Sequence, residues 1–211
     1  MTNPEPFAAD GVCGFLHRAA GKTECGLVLT HGAGGNCTIP LLVAAANAFC
    51  DAGFDVLRCD LTFRQRRPIG PPSPSGAAAD REGLRLAVDA MRRLGPQRIV
   101  LGGQSYGGRQ ATMLAADEPG LVAALLLFSY PLHPPGKPER PRKEHFPRLS
   151  APCVFVQGAN DPFGTPAELG DAIRAIPVLT EMIPVDDAGH DLKRGRFDLA
   201  PVVAAVERRA R

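Results

Sequence analysis

The 211-residue chain contains no tryptophan, and aromatic residues make up only 6% of it. This scarcity disfavours the stacked aromatic platforms on which single-stranded nucleic acids bind. The charge is close to balanced, with a formal net charge of +2, so the chain lacks the strongly basic character of many nucleic-acid-binding domains. Apolar runs long enough to span a bilayer are lacking as well. We therefore expect no nucleic-acid partner and no membrane partner.

The six cysteines lack the close pairing that metal sites and redox motifs require. No two of them are separated by two residues, so the spacing typical of a zinc site is missing. Most of them lie within apolar runs, where reduced and buried thiols are common. The N-terminal residues show neither the basic nor the apolar region of a secretory signal. We expect a cytoplasmic protein with no metal and no other cofactor.

What the chain does contain is an ordinary globular composition, with 45% hydrophobic and 22% charged residues. From Cys25 onward, apolar strands alternate with helical segments. This alternation predicts an α/β fold: an open, mainly parallel sheet of about six to seven strands with helices on both faces. We expect one domain over residues 1–211. The predicted strands are Val12–His17 (as an edge strand), Cys25–Thr30, Phe54–Cys59, Arg98–Leu101, Leu121–Ser129, Cys153–Gly158 and Leu179–Val185. The main predicted helices are Ile39–Ala52, Asp80–Leu94, Arg109–Ala116, Pro166–Ile176 and Leu199–Arg209.

Two segments rich in proline and basic residues interrupt this alternation. Residues 61–79 contain four prolines and residues 130–149 contain six. Each segment is predicted to be a long irregular loop. Long loops in compact domains are usually functional or disordered.

One serine lies in a sequence context that favours a catalytic role. Glycines stand two residues before and two residues after Ser105, at Gly103 and Gly107, between an apolar strand and a helix. A tight strand-to-helix turn tolerates little side chain beside it, and the start of the helix leaves free N–H groups near the hydroxyl. The G-x-S-x-G pattern in this context predicts a nucleophile at Ser105. The alternative interpretation is a structural turn.

A serine nucleophile needs a base and a group that orients the base. His190 follows the last predicted strand and is the candidate base, the alternative being a surface-loop histidine. Asp161 follows the strand Cys153–Gly158 and is the candidate orienting carboxylate. The alternatives are ordinary turn chemistry at that aspartate, or Asp186 or Asp187 in its place. The order serine, aspartate, histidine is the one that accompanies a nucleophile elbow.

The oxyanion of such a reaction needs backbone N–H donors. The N–H of Tyr106, which follows the serine, is predicted to be one donor. The second is expected from the glycine-rich loop after the first strong strand, at Ala33 or Gly34. In the same region, His31 is interpreted as a loop-stabilising residue, the alternative being a catalyst. Cys37 is interpreted as a buried thiol, the alternative being a reactive thiol near the site.

Arginines near this predicted site favour an anionic substrate. Arg64 and Arg67 follow the strand that ends near Asp60, and Arg109 opens the helix after the serine. Guanidinium groups match carboxylates and phosphates with two hydrogen bonds, so one or two of these arginines would bind an anionic ester. Alternatively, they form a solvated charged loop, or they pair with Asp60 or Asp80 and hold the first proline-rich segment in place.

Six motifs together resemble one family. They are L-T-H-G-A-G-G-N (Leu29–Asn36), R-C-D-L-T-F-R-Q-R-R-P (Arg58–Pro68), G-G-Q-S-Y-G-G-R (Gly102–Arg109), S-Y-P-L-H-P-P-G-K-P (Ser129–Pro138), N-D-P-F-G-T (Asn160–Thr165) and A-G-H-D-L (Ala188–Leu192). On these motifs the chain resembles the α/β-hydrolase superfamily. Within it, the chain looks like the dienelactone-hydrolase-like branch that includes testis-expressed hydrolase-like proteins and the hydrolase-like subunit of the nonspecific lethal histone acetyltransferase complex. The resemblance implies the α/β-hydrolase fold and a triad of Ser105, Asp161 and His190. Dienelactone hydrolase proper has a cysteine nucleophile, where this chain has Ser105.

The leading interpretation is a serine hydrolase that cleaves a small carboxylic ester or thioester through an acyl-enzyme on Ser105. No cap domain is expected, because only residues 130–149 stand where larger relatives carry a lid. The expected partner is a small-molecule ester, and the arginines favour an anionic one. The alternative is a non-catalytic protein-interaction module on the same scaffold, as in relatives that are subunits of complexes. The sequence predicts neither the oligomeric state nor the identity of the substrate.

Overall fold

An eight-stranded sheet organises residues 3–210, the part of the chain that the computed structural model describes. The strands are β1 Glu5–Ala9, β2 Val12–His17, β3 Cys25–Thr30, β4 Asp55–Cys59, β5 Arg98–Gln104, β6 Ala124–Phe128, β7 Cys153–Gly158 and β8 Thr180–Val185. The helices are α1 Pro40–Asp51, α2 Thr62–Arg66, α3 Ala77–Arg93, α4 Tyr106–Asp117, α5 Pro166–Ile173 and α6 Ala200–Ala210.

The strand order across the sheet is β1-β2-β4-β3-β5-β6-β7-β8. Strands β3 to β8 are parallel, whereas β2 pairs antiparallel with both β1 and β4. All carboxyl ends of the parallel strands therefore meet at one edge, which is where ligands bind in open α/β sheets.

The central strands are apolar along their length because both faces of the sheet are covered. Strand β6 illustrates this, since all five of its residues are buried. Its Leu125 and Leu127 belong to the core beneath α3, α4 and α5, whereas Leu126 and Phe128 belong to the core beneath α1 and α6. The alternation follows from the two-residue period of a strand. The predicted α/β fold, with helices on both faces and no cap domain, is confirmed.

The structure corrects the predicted edge of the sheet. β2 is not an edge strand, because β1 pairs with it on its outer side from Glu5 to Ala9. The sheet therefore has eight strands instead of six to seven. β1 escaped prediction because its residues are almost all exposed, so it carries no apolar alternation that would mark it as a strand.

The structure also corrects the first proline-rich segment, which is not irregular throughout. Residues 61–79 include the short helix α2, a 3₁₀ turn over Pro74–Gly76 and the start of α3 at Ala77. The fully buried carboxylate of Asp80 accepts a hydrogen bond from the N–H of Phe63 at 2.9 Å, which ties α2 to α3. A five-residue helix is too short to show a helical period in the sequence.

The second proline-rich segment, residues 130–149, contains a single 3₁₀ turn at Phe146–Arg148 and otherwise follows the predicted irregular course. Buried Tyr130 anchors it, since its hydroxyl donates to the carbonyl of Arg142 at 2.9 Å. The remaining corrections are to element ends. For example, β6 begins at Ala124 instead of Leu121, β5 ends at Gln104 instead of Leu101, and α5 ends at Ile173 instead of Ile176.

No helix within residues 3–210 is long and apolar enough to cross a membrane. The same residues contain no group of three His, Cys, Asp or Glu side chains placed to hold a metal ion. The prediction of one domain over residues 1–211 stays a prediction, and its residues 1, 2 and 211 lie outside the described part.

Candidate active site

Ser105 occupies the sharp turn between β5 and α4. Its backbone has φ 51° and ψ −118°, a conformation that a residue with a side chain adopts only at a cost of about 1–3 kcal/mol. Two hydrogen bonds hold the turn: the Ser105 N–H donates to the carbonyl of Phe128 at 2.8 Å, and its carbonyl accepts from the Arg109 N–H at 2.9 Å. The strained serine is therefore fixed between the sheet and the first turn of α4.

The glycines beside the serine are required by close backbone approach. A Cβ atom at Gly107 would lie 2.5 Å from the carbonyl oxygen of His31 and 2.6 Å from a methyl group of Thr30. At Gly103, a Cβ atom would lie 2.8 Å from the backbone of Gly107. Any side chain at these positions would force the turn between β5 and α4 away from its neighbours. The G-x-S-x-G spacing thus has a steric cause.

Ser105, His190 and Asp161 form a continuous hydrogen-bonded chain. The Oγ of Ser105 lies 2.8 Å from Nε2 of His190. The Nδ1 of His190 lies 2.8 Å and 3.0 Å from the two carboxylate oxygens of Asp161. The Asp161 side chain is fully buried, whereas a quarter of the His190 side chain is exposed. The three residues that the sequence singled out meet at the carboxyl edge of the sheet.

Asp161 is held by donors other than the histidine. The N–H of Phe163 donates to its Oδ1 at 2.9 Å, and the side-chain amide of Gln157 donates to its Oδ2 at 3.0 Å. The two alternative carboxylates, Asp186 and Asp187, are exposed. Asp161 is therefore the carboxylate that contacts His190.

The imidazole of His190 is positioned by packing as well as by hydrogen bonds. The ring of Phe163 lies against it, with centroids 4.3 Å apart and planes tilted by 35°. Gln104 donates its side-chain amide to the His190 carbonyl at 3.3 Å. The end of β7 also needs a glycine, because a Cβ atom at Gly158 would lie 2.5 Å from the carbonyl oxygen of Gly189. These contacts hold the loop that carries His190 against the carboxyl edge of the sheet.

The glycine-rich loop presents backbone amides beside the serine. A Cβ atom at Gly32 would lie 3.3 Å from Cβ of Ser105, so the two segments are in direct contact. The carbonyl of Gly32 accepts from His31 and Gly35, and the carbonyl of Ala33 accepts from an arginine side chain behind the loop. C=O and N–H point in opposite directions across a trans peptide, so the N–H groups of Ala33 and Gly34 point away from these donors.

The predicted donor at Tyr106 has a simple structural basis. Tyr106 is the first residue of α4, and the first amides of a helix have no carbonyl partner within it. Its side chain is held away from the turn, because its hydroxyl donates to the buried carboxylate of Asp80 at 2.8 Å. Burial raises the pKa of the phenol, and this contact raises it further.

His31 stabilises the loop, as predicted. It is fully buried, its Nδ1 lies 2.8 Å from the carbonyl oxygen of Gly32, and the N–H of Leu61 donates to its Nε2 at 3.1 Å. Burial lowers the pKa of His31, which keeps the ring neutral. Cys37 is buried, as predicted, and burial raises the pKa of its thiol to about 12. Neither residue has a group free for chemistry.

A cavity of about 890 Å³ opens beside the hydrogen-bonded side chains of Ser105 and His190. Both proline-rich segments contribute to its wall, the first through Pro72–Pro74 and the second through Pro131 and Arg142. The volume lies within the range of small-molecule sites.

Of the three arginines from which one or two were predicted to bind substrate, the structure places Arg64 and Arg67 outside the cavity. The guanidinium of Arg64 donates to five backbone carbonyls, those of Ala33, Gly35, Arg67, Pro68 and Gly70. Arg67 is exposed and donates to the carbonyl of Pro71 at 2.8 Å. Neither residue lines the cavity, whereas Arg109 does. Arg64 therefore pins the proline-rich segment through carbonyl groups and not through the carboxylates of Asp60 or Asp80.

Among the residues that support the site, Asp80, Gln157 and Phe163 were not predicted to do so. Two of them carried a signal in the sequence. Asp80 falls at helical spacing on the apolar face of Leu84 and Val88, and Gln157 interrupts an otherwise apolar strand. A polar group at a buried position needs a partner, so each marks a connection between elements. Phe163 carried no such signal.

Comparison with known proteins agrees with this fold. The mainly parallel eight-stranded sheet, with a strained serine in the turn after β5, is the architecture of the α/β-hydrolase fold. The family model described as "Alpha/beta hydrolase domain" matches residues 23–200, so the chain belongs to that family. An α/β serine hydrolase homologue from Coxiella burnetii is 19% identical, with a TM-score of 0.75 and coverage of 99% of this chain and 97% of that one.

Two further solved structures share the fold at similarly low identity. Dienelactone hydrolase from Anabaena variabilis is 21% identical, with a TM-score of 0.73 over 99% of this chain and 97% of that one. A serine hydrolase without a lid from Xanthomonas campestris is 18% identical, with a TM-score of 0.74 over 99% of this chain and 94% of that one.

Proposed function

We propose that this protein is a serine hydrolase that cleaves a small carboxylic ester or thioester through an acyl-enzyme on Ser105. The observation that carries the proposal is the unbroken chain from Ser105 Oγ through His190 to the buried Asp161, with distances of 2.8 Å at both links. This is the arrangement in which an imidazole removes a proton from a hydroxyl while a carboxylate fixes its tautomer.

In the proposed reaction, Ser105 Oγ attacks the carbonyl carbon and its proton passes to Nε2 of His190. The Nδ1–H of His190 donates to Asp161, which stabilises the imidazolium. The N–H groups of Tyr106 and of Ala33 or Gly34 bind the oxyanion. The leaving group then takes the proton from Nε2, which yields the acyl-enzyme. Water attacks the acyl-enzyme with His190 as base and releases the acid and free Ser105.

The experiment that tests this proposal is a panel of p-nitrophenyl esters and acyl thioesters of increasing chain length. Wild type and a Ser105→Ala variant, purified in parallel, serve as sample and control. We expect turnover by wild type on short chains and a loss of at least about a thousandfold in Ser105→Ala. Equal rates in the two preparations would contradict the assignment of Ser105, since the activity would then belong to another group or to a contaminant.

A non-catalytic interaction module is the second candidate. One observation favours it: Ile69, on the proline-rich segment, is 83% exposed. Against it stands the close approach of His190 to Ser105, because a scaffold without turnover has no need of an aligned hydroxyl and imidazole. The same Ser105 intermediate would also serve acyl transfer to an acceptor other than water. We regard hydrolysis as the better supported function.

The finer family assignment and the compartment also belong to this proposal. We place the chain in the dienelactone-hydrolase-like branch on the motifs given above, with a serine in place of the cysteine nucleophile. The proposed compartment is the cytoplasm, because all six cysteines are free thiols, which suits a reducing environment. Cell fractionation with an antibody against the chain would test the compartment.

A further inference from the structure

Within the described part of the chain, one arginine at the cavity has no partner for its charge. Arg109 lies one helical turn beyond Ser105 on α4 and lines the cavity. Its Nε is buried and has no hydrogen-bond acceptor. Among residues 3–210, its guanidinium makes neither a hydrogen bond nor an ion pair. A buried charged donor without an acceptor is costly, so this site is incomplete as it stands.

The neighbouring residue adds a second unsatisfied donor. Gln110 also lines the cavity, and only 1% of it is exposed. Arg81 fixes the orientation of its side-chain amide by donating to Oε1 at 3.0 Å. Its Nε2 is then left buried without a partner. Two adjacent residues thus present N–H groups that require an acceptor.

A second guanidinium lies within electrostatic reach of the first. Arg142 lines the same cavity, and its backbone is fixed by hydrogen bonds to Tyr130 and Leu132. Burial lowers the pKa of Arg142, and the positive charge of Arg109 lowers it further. Burial, with a contribution from Arg109, also lowers the pKa of His145 to about 4, so this neighbour is neutral. Glu144 offsets part of this repulsion at Arg142, and an anion bound between the two guanidinium groups would offset more of it.

The charges that line the cavity also favour a bound anion. The described lining residues include three arginines, Arg109, Arg142 and Arg194, and a single carboxylate, Asp191. Asp191 lies 3.8 Å from Arg194 and is mostly exposed, so no lining carboxylate pairs with Arg109 or Arg142.

We propose that Arg109, Gln110 and Arg142 form a subsite for an anionic group of the substrate, of which a carboxylate is the simplest case. The inference rests on the proposed function, because it places this group in the same cavity as Ser105. A guanidinium offers a planar pair of donors that matches a carboxylate, and an amide N–H supplies a further bond. The ester would therefore carry a second, negatively charged end.

The test compares two esters that differ only at their far end. p-Nitrophenyl hexanoate ends in a methyl group, and mono-p-nitrophenyl adipate ends in a carboxylate at the same position. We expect wild type to prefer the adipate by about tenfold in kcat/KM, as a charge-assisted hydrogen bond would give. Arg109→Gln should bring the ratio close to one, and Arg109→Lys should retain part of it because the charge stays while the planar fork is lost.

Arg93→Gln is the matched control, because it removes one positive charge from an exposed arginine at the far end of α3, which pairs with Asp10. It should leave the preference unchanged. A ratio of one in wild type, or a preference that survives Arg109→Gln, would overturn the subsite.

A binding measurement separates failure of the subsite from failure of the proposed function. Adipate is titrated calorimetrically into Ser105→Ala and into the Ser105→Ala, Arg109→Gln double variant. Binding to the first that is lost in the second supports the subsite, even if neither ester is turned over. If wild type hydrolyses neither ester and Ser105→Ala does not bind adipate, the subsite is overturned together with ester hydrolysis.

Discussion

Two walls of the cavity use polar side chains in opposite ways. The loop wall consists of His31–Asn36 with Arg64 behind it, and the chain wall consists of Ser105, Asp161 and His190. In the loop wall, the side chains bond to backbone: Arg64 donates to five carbonyls, and both ring nitrogens of His31 contact main-chain groups. In the chain wall, the side chains bond to one another and end at a hydroxyl beside the cavity.

This difference separates side chains that fix the backbone from side chains that can take part in a reaction. A donor in the loop wall cannot bind a ligand without leaving a buried carbonyl unpaired, so this wall fixes the shape of the backbone. The chain wall has a single polar terminus, the Ser105 hydroxyl, and a proton path leading away from it. Changes in the loop wall should therefore reduce stability, whereas changes in the chain wall should reduce turnover.

The largest effect is expected from the chain wall. His190→Ala removes the proposed base, so kcat on a short ester should fall by about three orders of magnitude or more. The free energy of unfolding should change by less than about 1 kcal/mol, because the ring is partly exposed and no element depends on it. Steady-state kinetics and urea unfolding of the same preparation test both halves. Undiminished turnover, or a loss explained by unfolding, would contradict the division.

Arg64→Met should produce the reverse pattern. It keeps an apolar stem but leaves five backbone carbonyls without their donor, so we expect a loss of about 3 kcal/mol in the free energy of unfolding. Arg67→Met is the matched control, since this exposed arginine makes one such bond and should cost at most about 0.5 kcal/mol. Equal costs for the two variants in urea unfolding would show that the loop wall does not depend on Arg64.

A smaller effect on turnover is expected at Phe163. Phe163→Ala removes the ring that packs on His190 but keeps the backbone N–H that donates to Asp161. The imidazole should then sample non-productive orientations, and kcat should fall by about tenfold with little change in KM. Phe163→Leu, which restores part of the packing, should recover part of kcat. A rise in KM with kcat unchanged would instead make Phe163 a substrate contact.

The remaining effect concerns pH and lies mainly outside both walls. Burial lowers the pKa of His17 and of His145 to about 4, and it also lowers that of His31 in the loop wall. Between pH 6.5 and 4 the unfolded chain therefore binds protons that the folded chain excludes, so the free energy of unfolding falls as the pH falls. Urea unfolding at pH 7 and pH 5 measures the slope.

His145→Gln should make this slope shallower, because one of the depressed groups is gone. A slope that stays the same as in wild type would show that His145 does not contribute to the pH dependence of stability. A stability that rises on acidification from pH 6.5 would contradict the sign for all three histidines.

The positions of the serine, the aspartate and the histidine could be predicted because they depend mainly on the topology of the sheet. Each follows a strand of a parallel sheet, so their side chains meet at one edge whatever the details of the loops. The arginines could not be assigned in this way. Arg64 and Arg109 both follow strand ends, and only the packed structure reveals that one is enclosed by carbonyls and the other has no acceptor.

The most direct test of the central claim is the covalent labelling of Ser105. Wild type, Ser105→Ala and His190→Ala are treated with a fluorophosphonate, digested and examined by mass spectrometry. The account predicts one adduct on the peptide that contains Ser105 in wild type, a much slower adduct in His190→Ala and none in Ser105→Ala. An unlabelled wild type, or equal labelling of wild type and Ser105→Ala, would contradict it.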